Sequence, residues 1–209
     1  MGQFVTIHPQ DPQSRLVNQA VAVLRDGGII IYPTDSCYAL ACLPGEKSAL
    51  DRIIRLRRLE DRHNMTLVCR DLSELSVFAR VENSSFRLLK SLTPGPYTFV
   101  LDATRDVPRR LLHPRRKTIG IRVPDNTIAL HLLESLGEPL LSTSLILPDD
   151  DLPLSDPDEM KQRLLKEVDV IIDGGPGGLD ETTVLDLTGK EVLIVREGLG
   201  DTGSLIAQH

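Results

Sequence analysis

An apolar run, Ile29-Ile30-Ile31-Tyr32, stops at Pro33 and gives way at once to Thr34, Asp35 and Ser36. A continuous block of β-branched residues suits a strand covered on both faces. Proline lacks the N–H that would extend the ladder, so the strand ends there. A buried strand that finishes in three polar residues delivers them to a sheet end, and in open α/β sheets that is where ligands sit. Pro-Thr-Asp-Ser is also good turn chemistry, and taken alone the stretch Pro33 to Leu40 reads as a turn. The rest of the chain decides between the two.

The totals narrow the choice. A chain of 209 residues buries roughly 70% of its unfolded surface as one domain and needs no staples. One domain is therefore expected over residues 1–209, with its core over about 8–200. Tryptophan is absent and aromatics are 3% of the chain, so the core rests on Leu, Ile and Val. A net charge of -6 argues against a general nucleic-acid binder while allowing a local basic patch. The three cysteines, Cys37, Cys42 and Cys69, form no CxxC pair and read as reduced thiols of a cytoplasmic protein. The five histidines have no metal-ligand spacing. No signal-peptide pattern opens the chain and no apolar run reaches membrane-spanning length, so no membrane partner is expected.

Along the chain, Ser14 can cap a helix whose Val17, Ala20, Val21 and Leu24 fall at helical spacing, and Gly27-Gly28 ends it. Strands are expected at Tyr38–Cys42, Thr66–Cys69, Tyr97–Ala103, Thr118–Val123, within Pro139–Leu147, and at Val168–Ile172, Thr182–Leu187 and Glu191–Arg196. Helices are expected at Glu46–Leu59, Asp71–Phe78, Asn83–Leu92 (capped by Asn83), Asn126–Leu136 and after Ser155. Helices and strands interleave without clean βαβ alternation, and no G-x-G-x-x-G follows the first strand. The expected class is α/β, one domain around a twisted, mixed sheet.

Four clusters can carry chemistry. Thr34, Asp35 and Ser36 form the first. Arg52, Arg55, Arg57 and Arg58 lie near a helix C-terminus, where they complement the dipole or grip a triphosphate. Lys117, Thr118 and Arg122 form the third. Arg122 interrupts an apolar strand and needs a partner, an anionic ligand or an internal acid. Thr118, Gly120 and Arg122 share one strand face, with room over the glycine. Ser142 and Ser144 likewise share a face. No nucleophile elbow and no P-loop occurs. A basic run, Arg105, Arg109, Arg110, Arg115, Arg116 and Lys117, is either a solvated loop or a contact for RNA phosphates or a nucleotide. It has no aromatics for base stacking.

These motifs resemble, in order and over nearly the whole chain, those of the YrdC/YciO family. Pro33 to Leu40 (PTDSCYAL) resembles its opening signature, and Pro94 to Leu101 its PGPxTxVL. Thr118 to Pro124 is similar to its TxGxRxP, Ser142-Thr143-Ser144 to the serine stretch before its SAN motif, and Val168 to Pro176 to its DxxxDGGP. Glu181 to Asp186 and Arg196-Glu197-Gly198 resemble its ESTVVD and RPG. Arg62 to Leu67 and Pro108 to Leu112 point to the YciO branch. The resemblance implies a YrdC/RibB-like fold and a nucleotidyltransferase, an L-threonylcarbamoyladenylate synthase. That enzyme uses ATP with Mg2+, L-threonine and bicarbonate, and serves threonylcarbamoyl-adenosine modification of tRNA. It implies that Thr34, Arg122, Ser142 and Thr182 face threonine, and that Arg57, Thr118, Ser144 and Arg196 face the nucleotide. Within the basic run, the reading as an RNA contact rests on Arg109, Arg110, Arg115, Arg116 and Lys117, an expectation drawn from the run itself. The family lysine is here Arg57, and Leu59, Glu60, Ile146 and Cys69 replace a family arginine, proline, asparagine and histidine. The alternative these replacements raise is a nucleotide- or RNA-binding paralogue, for tRNA or double-stranded RNA, without the synthase reaction.

Overall fold

Polar residues from distant parts of the sequence meet because of the order in which the strands lie. The structure, a computed structural model, describes residues 2–59, 65–113 and 115–203. Its strands are β1 (Gln3–Thr6), β2 (Ile30–Tyr32), β3 (Ala39–Cys42), β4 (Thr66–Val68), β5 (Ala79–Arg80), β6 (Tyr97–Ala103), β7 (Thr118–Arg122), β8 (Leu140–Ser144), β9 (Val170–Asp173), β10 (Thr183–Asp186) and β11 (Leu193–Arg196). The helices are α1 (Ser14–Arg25), α2 (Lys47–Arg57), α3 (Leu72–Phe78), α4 (Asn83–Leu92), α5 (Thr127–Leu136) and α6 (Pro157–Leu164), with one 3-10 turn at Arg109–Leu111. All the strands join one mixed sheet in the order β1-β9-β2-β3-β8-β4-β7-β6-β10-β11, with β5 beside β6. The expected single α/β domain with a mixed sheet is what forms. Strands β1 and β5 were not expected: both are short edge pieces without a period of their own.

Alternation along the strands sorts the two faces. On one, Ile31, Leu40, Leu67, Phe99, Ile121 and Leu141 pack under α2, α3, α4 and α6. On the other, Val5, Ile30, Tyr32, Val170 and Ile172 pack under α1 and α5. Those two helices cover the sheet over its β1-β9-β2-β3 side and the near ends of β8 and β4, where Leu140 and Val68 join the same cluster. Among the described residues no helix core extends over β7, β6 and β10 on that face, so it stays open there.

Helix starts show where local chemistry rules. Asp71, Asn126 and Asp156 each accept a backbone N–H from the first turn, at 2.8, 3.0 and 2.9 Å. Capping of this kind contributes about 1 kcal/mol each. Ser14 and Asn83, expected as caps, are instead the first helical residues, and Gln13 and Glu82 before them make no side-chain cap. The apolar stripe of α1, buried at Val17, Ala20, Val21 and Leu24, fixes that helix through packing. No helix among the described residues is long and apolar enough to cross a membrane.

Candidate functional site

The open part of the sheet is the floor of a cavity of about 350 Å³. One row of residues crosses it from strand to strand. Ser142 on β8 stands opposite Thr66 on β4, and Thr66 opposite Gly120 on β7. Gly120 stands opposite Val100 on β6, and Val100 opposite Asp186 on β10. A Cβ on Gly120 would lie 3.4 Å from both Thr66 Oγ1 and Thr98 Cγ2, so glycine keeps the floor low. Thr34, Arg57, Thr118, Arg122, Ser142, Ser144, Thr182 and Arg196 all line this one cavity. Ser142 and Ser144 share a face as the period of two requires, as do Thr118, Gly120 and Arg122.

Charge within the cavity is largely balanced. The Arg122 guanidinium pairs with Asp35, with side-chain exposures of 9% and 10%. Of the two partners open to Arg122, the internal acid is therefore present. The pair is not saturated: Asp35 Oδ2 and Arg122 Nε are buried without a hydrogen-bond partner. Arg196 pairs with Glu181 at 2.8 Å and donates to the Thr182 carbonyl at 3.1 Å. Ser144 donates to the other Glu181 oxygen at 2.7 Å. Arg116 pairs with buried Asp186 at 3.1 Å. Arg57, the last residue of α2, differs. Its Nε donates to the Ile146 carbonyl at 2.7 Å and another nitrogen donates to Thr143 Oγ1, both neutral groups. Burial pulls its pKa below the usual value, and the Glu181 carboxylate acts in the opposite direction. An arginine stays protonated under such a shift, so Arg57 is the cavity's positive charge without a carboxylate partner among the described residues.

The hydroxyls are mostly committed to the protein. Thr34 Oγ1 donates to the Cys37 carbonyl at 2.7 Å and accepts from Ser36 N–H at 3.1 Å, so it does hold the turn. Ser142 Oγ donates to the Leu40 carbonyl at 3.0 Å, and the Tyr32 hydroxyl lies 3.0 Å from it. Burial pushes the Tyr32 phenol up to about 12, with the Ser142 hydrogen bond opposing the rise. Burial also pushes the Cys37 thiol up, which disfavours the thiolate. The cavity thus offers cations, hydroxyls and a shaped floor rather than an activated nucleophile. Among the described residues no group of His, Cys, Asp and Glu is placed to hold a metal ion.

Glycines clamp the turn from behind. A Cβ on Gly178 would lie 2.0 Å from the Ser36 carbonyl oxygen, and one on Gly174 2.8 Å from Pro33. Tyr38 ties the same loop down, donating to the Gly175 carbonyl at 2.7 Å and accepting from Gly174 N–H at 3.0 Å.

Other expected groupings separate. Of the four arginines near the α2 C-terminus, Arg52 pairs with Asp169 at 2.7 Å, Arg55 donates to the Asp51 carbonyl and Arg58 faces Asp149. Only Arg57 lines the cavity. The basic run divides too. Arg116 enters the main cavity, Arg110 donates to the Pro44 and Gly45 carbonyls, and Arg105, Arg109 and Lys117 line a second cavity. Ile146 lines the main cavity, Leu59 packs against the core, and Cys69 is buried with its N–H on the Arg122 carbonyl at 2.8 Å. Glu60 and Arg62 to Asn64 lie outside the described residues. Glu181 and Asp186 were not expected as site residues. The alternation Thr182, Val184, Asp186 would have placed the second of these acids on the ligand face.

With that geometry in view, a family model named for Sua5, YciO and YrdC and described as "Telomere recombination" matches residues 22–198. Escherichia coli YciO is 59% identical over 96% of this chain and 98% of its own. A Haemophilus influenzae protein, itself uncharacterized, is 57% identical over 99% of this chain and 100% of its own. The mouse protein named threonylcarbamoyl-AMP synthase is 32% identical, covering 90% of this chain and 70% of its own. The crystal structure of E. coli YciO superposes with a TM-score of 0.94 at 58% identity, over 98% of this chain and 100% of that one. P. abyssi Sua5, solved with L-threonine, superposes at a TM-score of 0.85 and 24% identity, over 93% of this chain and 57% of that longer one.

Proposed function

Since the chain belongs to the Sua5/YciO/YrdC family, we propose that its main cavity forms L-threonylcarbamoyl-adenylate from L-threonine, bicarbonate and ATP. The supporting observation is that all eight residues expected to meet threonine or nucleotide line a single cavity. Relatives add weight: the mouse protein carries the synthase name, and the P. abyssi protein shares the fold and was solved with L-threonine.

In this reading the threonine amine captures bicarbonate with loss of water. A carbamate oxygen then attacks the α-phosphate of ATP, and the bond to the β-phosphate breaks to release pyrophosphate. Arg122 Nε and Asp35 Oδ2, a buried donor and a buried acceptor without partners, suit the carboxylate and amine of an amino acid. Arg57, with no carboxylate hydrogen-bonded to it among the described residues, suits the phosphates, where charged hydrogen bonds are roughly twice as strong as neutral ones. Val184, Val195 and Ile146 supply apolar wall for a base. Magnesium comes with ATP, held chiefly by its phosphates and waters. Catalysis rests on positioning and fixed charge.

A second reading keeps the ligand and drops the reaction: a nucleotide- or RNA-binding paralogue. Its support is Ile146, an apolar residue on the cavity wall where the family motif has an asparagine. Incubation with threonine, bicarbonate, magnesium and ATP separates the two. The synthase reading expects threonylcarbamoyl-adenylate by mass spectrometry, dependent on both threonine and bicarbonate. Thermal stabilisation by ATP without any such product supports the second reading and overturns the first.

A further inference from the structure

The second cavity is the better-charged of the two. It measures about 660 Å³ and is ringed by Arg80 of β5, Arg105, Arg109 and Lys117, within the size range of small-molecule sites. No carboxylate among the described residues pairs with any of these four cations. Two acids stand nearby: Asp102 is opposite Arg80 in the β5–β6 register, and Asp106 accepts from Thr104 at 3.4 Å. Neither forms an ion pair with the ring of cations, whose mutual repulsion is left uncompensated.

Two further observations point inward to a ligand. His113 lines both cavities. Its Nδ1 accepts the backbone N–H groups of Arg115 and Arg116 at 3.3 and 3.1 Å. The neutral ring therefore carries its proton on Nε2, a donor left for something else. Lys117 has φ 57, a left-handed conformation that L residues adopt at a cost. Its N–H donates to the His113 carbonyl at 3.0 Å and its carbonyl accepts from Ala103 at 3.1 Å, which hold it there. Strained backbone held by its surroundings clusters at ligand clamps. A glycine would relieve the backbone and lose the ammonium.

We propose that this second cavity binds a compact oligophosphate, a small molecule carrying two or more adjacent phosphate groups. The cations surround one hollow instead of running in a line, so they converge on a compact multivalent anion rather than follow a nucleic-acid strand. The chain's overall charge of -6 and the lack of Phe or Tyr among the described lining residues also disfavour a long polyanion with bases to stack. Val107 and Leu112 give the hollow an apolar side. The proposal concerns a different site from the main cavity and does not depend on the synthase reaction.

The test is titration calorimetry with sodium tripolyphosphate on wild-type protein and on Arg57→Gln protein, at about 50 mM salt, where exposed charges are weakly screened. The Arg57→Gln background removes the unpaired charge of the main cavity, so the failure of one site is not mistaken for failure of the other. Saturable binding is expected in both. Adding Arg105→Gln with Arg109→Gln should weaken it about tenfold or more in the Arg57→Gln background. Lys117→Gly, which suits the backbone and deletes one charge, should weaken it about threefold and serves if the double change does not fold. No saturable binding to Arg57→Gln protein, or binding indifferent to all these changes, overturns the proposal. So does loss of a short RNA oligonucleotide with tripolyphosphate binding unchanged, which assigns the ring to nucleic acid.

Discussion

The two cavities lie side by side across His113 and are both rich in arginine, yet they treat charge in opposite ways. In the main cavity Arg122, Arg196 and Arg116 are each held by an acid, Asp35, Glu181 and Asp186. In the second, Arg80, Arg105, Arg109 and Lys117 stand exposed with no acid paired to them among the described residues. An internally paired cation is oriented before any ligand arrives, which is what positioning chemistry needs. An unpaired exposed cation stays solvated and adaptable, and gives attraction without fixed geometry. The contrast predicts that the same kind of substitution has different consequences on the two sides.

The largest difference should appear in stability. Arg122→Ala leaves Asp35 buried and unpaired and is expected to cost about 3–5 kcal/mol in urea unfolding. Arg105→Ala removes only an exposed charge and should stay within about 0.5 kcal/mol. Similar losses for the two would break the comparison. Next comes the glycine clamp behind the turn. Gly178→Ala forces a methyl to within 2.0 Å of the Ser36 carbonyl and should cost about 2 kcal/mol. Gly45, with nothing near its would-be Cβ, should accept alanine within about 0.5 kcal/mol. Both changes can be followed by thermal melting.

Alkaline pH gives a third handle. Burial raises Tyr32 from 10.0 to about 12, and Tyr38 likewise. Between those values the unfolded chain releases phenolic protons that the folded chain keeps. Stability from these groups is thus complete below pH 10 and falls as pH rises towards 12, by about 1.4 kcal/mol per pH unit per tyrosine. Tyr32→Phe should remove one tyrosine's share of that slope, and an unchanged slope would deny Tyr32 its buried state. The smallest effect is on the other side. Lys117→Gly should stabilise the fold by about 0.5 kcal/mol, because glycine accepts φ 57 without steric cost and loses part of that gain to chain entropy.

The sequence was most legible where a period met a polar residue. Alternation placed Thr118 and Arg122 on one face and Ser142 and Ser144 on another strand's same face, and the sheet brings these faces together. The stretch at Thr34 reads as a turn or as a ligand wall, and the structure puts Thr34 both in the turn and on the wall of the main cavity. Pairings between distant residues were not legible. Nothing local in Arg122 names Asp35, and nothing in Arg196 names Glu181, because strand order decides which acid meets which base. The basic run looked continuous because residues 105–117 are contiguous in the chain, whereas the loop sends Arg116 to one cavity and Arg109 to the other. Caps at Ser14 and Asn83 failed by one residue, where packing of the helix stripe outweighed an N-cap worth about 1 kcal/mol.

The central claim is that adenylate chemistry belongs to the balanced cavity and turns on Arg57, which has no ion pair among the described residues. The rate of pyrophosphate release with threonine, bicarbonate, magnesium and ATP measures it, in wild-type, Arg57→Gln and Arg163→Gln proteins. Arg163, on α6, is tied to Glu159 and Asp150 and does not line the cavity. The account predicts threonine-dependent release by the wild type, a loss of about a hundredfold in Arg57→Gln, and an Arg163→Gln rate within about twofold of wild type. No threonine-dependent release by the wild type, or an Arg57→Gln enzyme as fast as wild type, would contradict it.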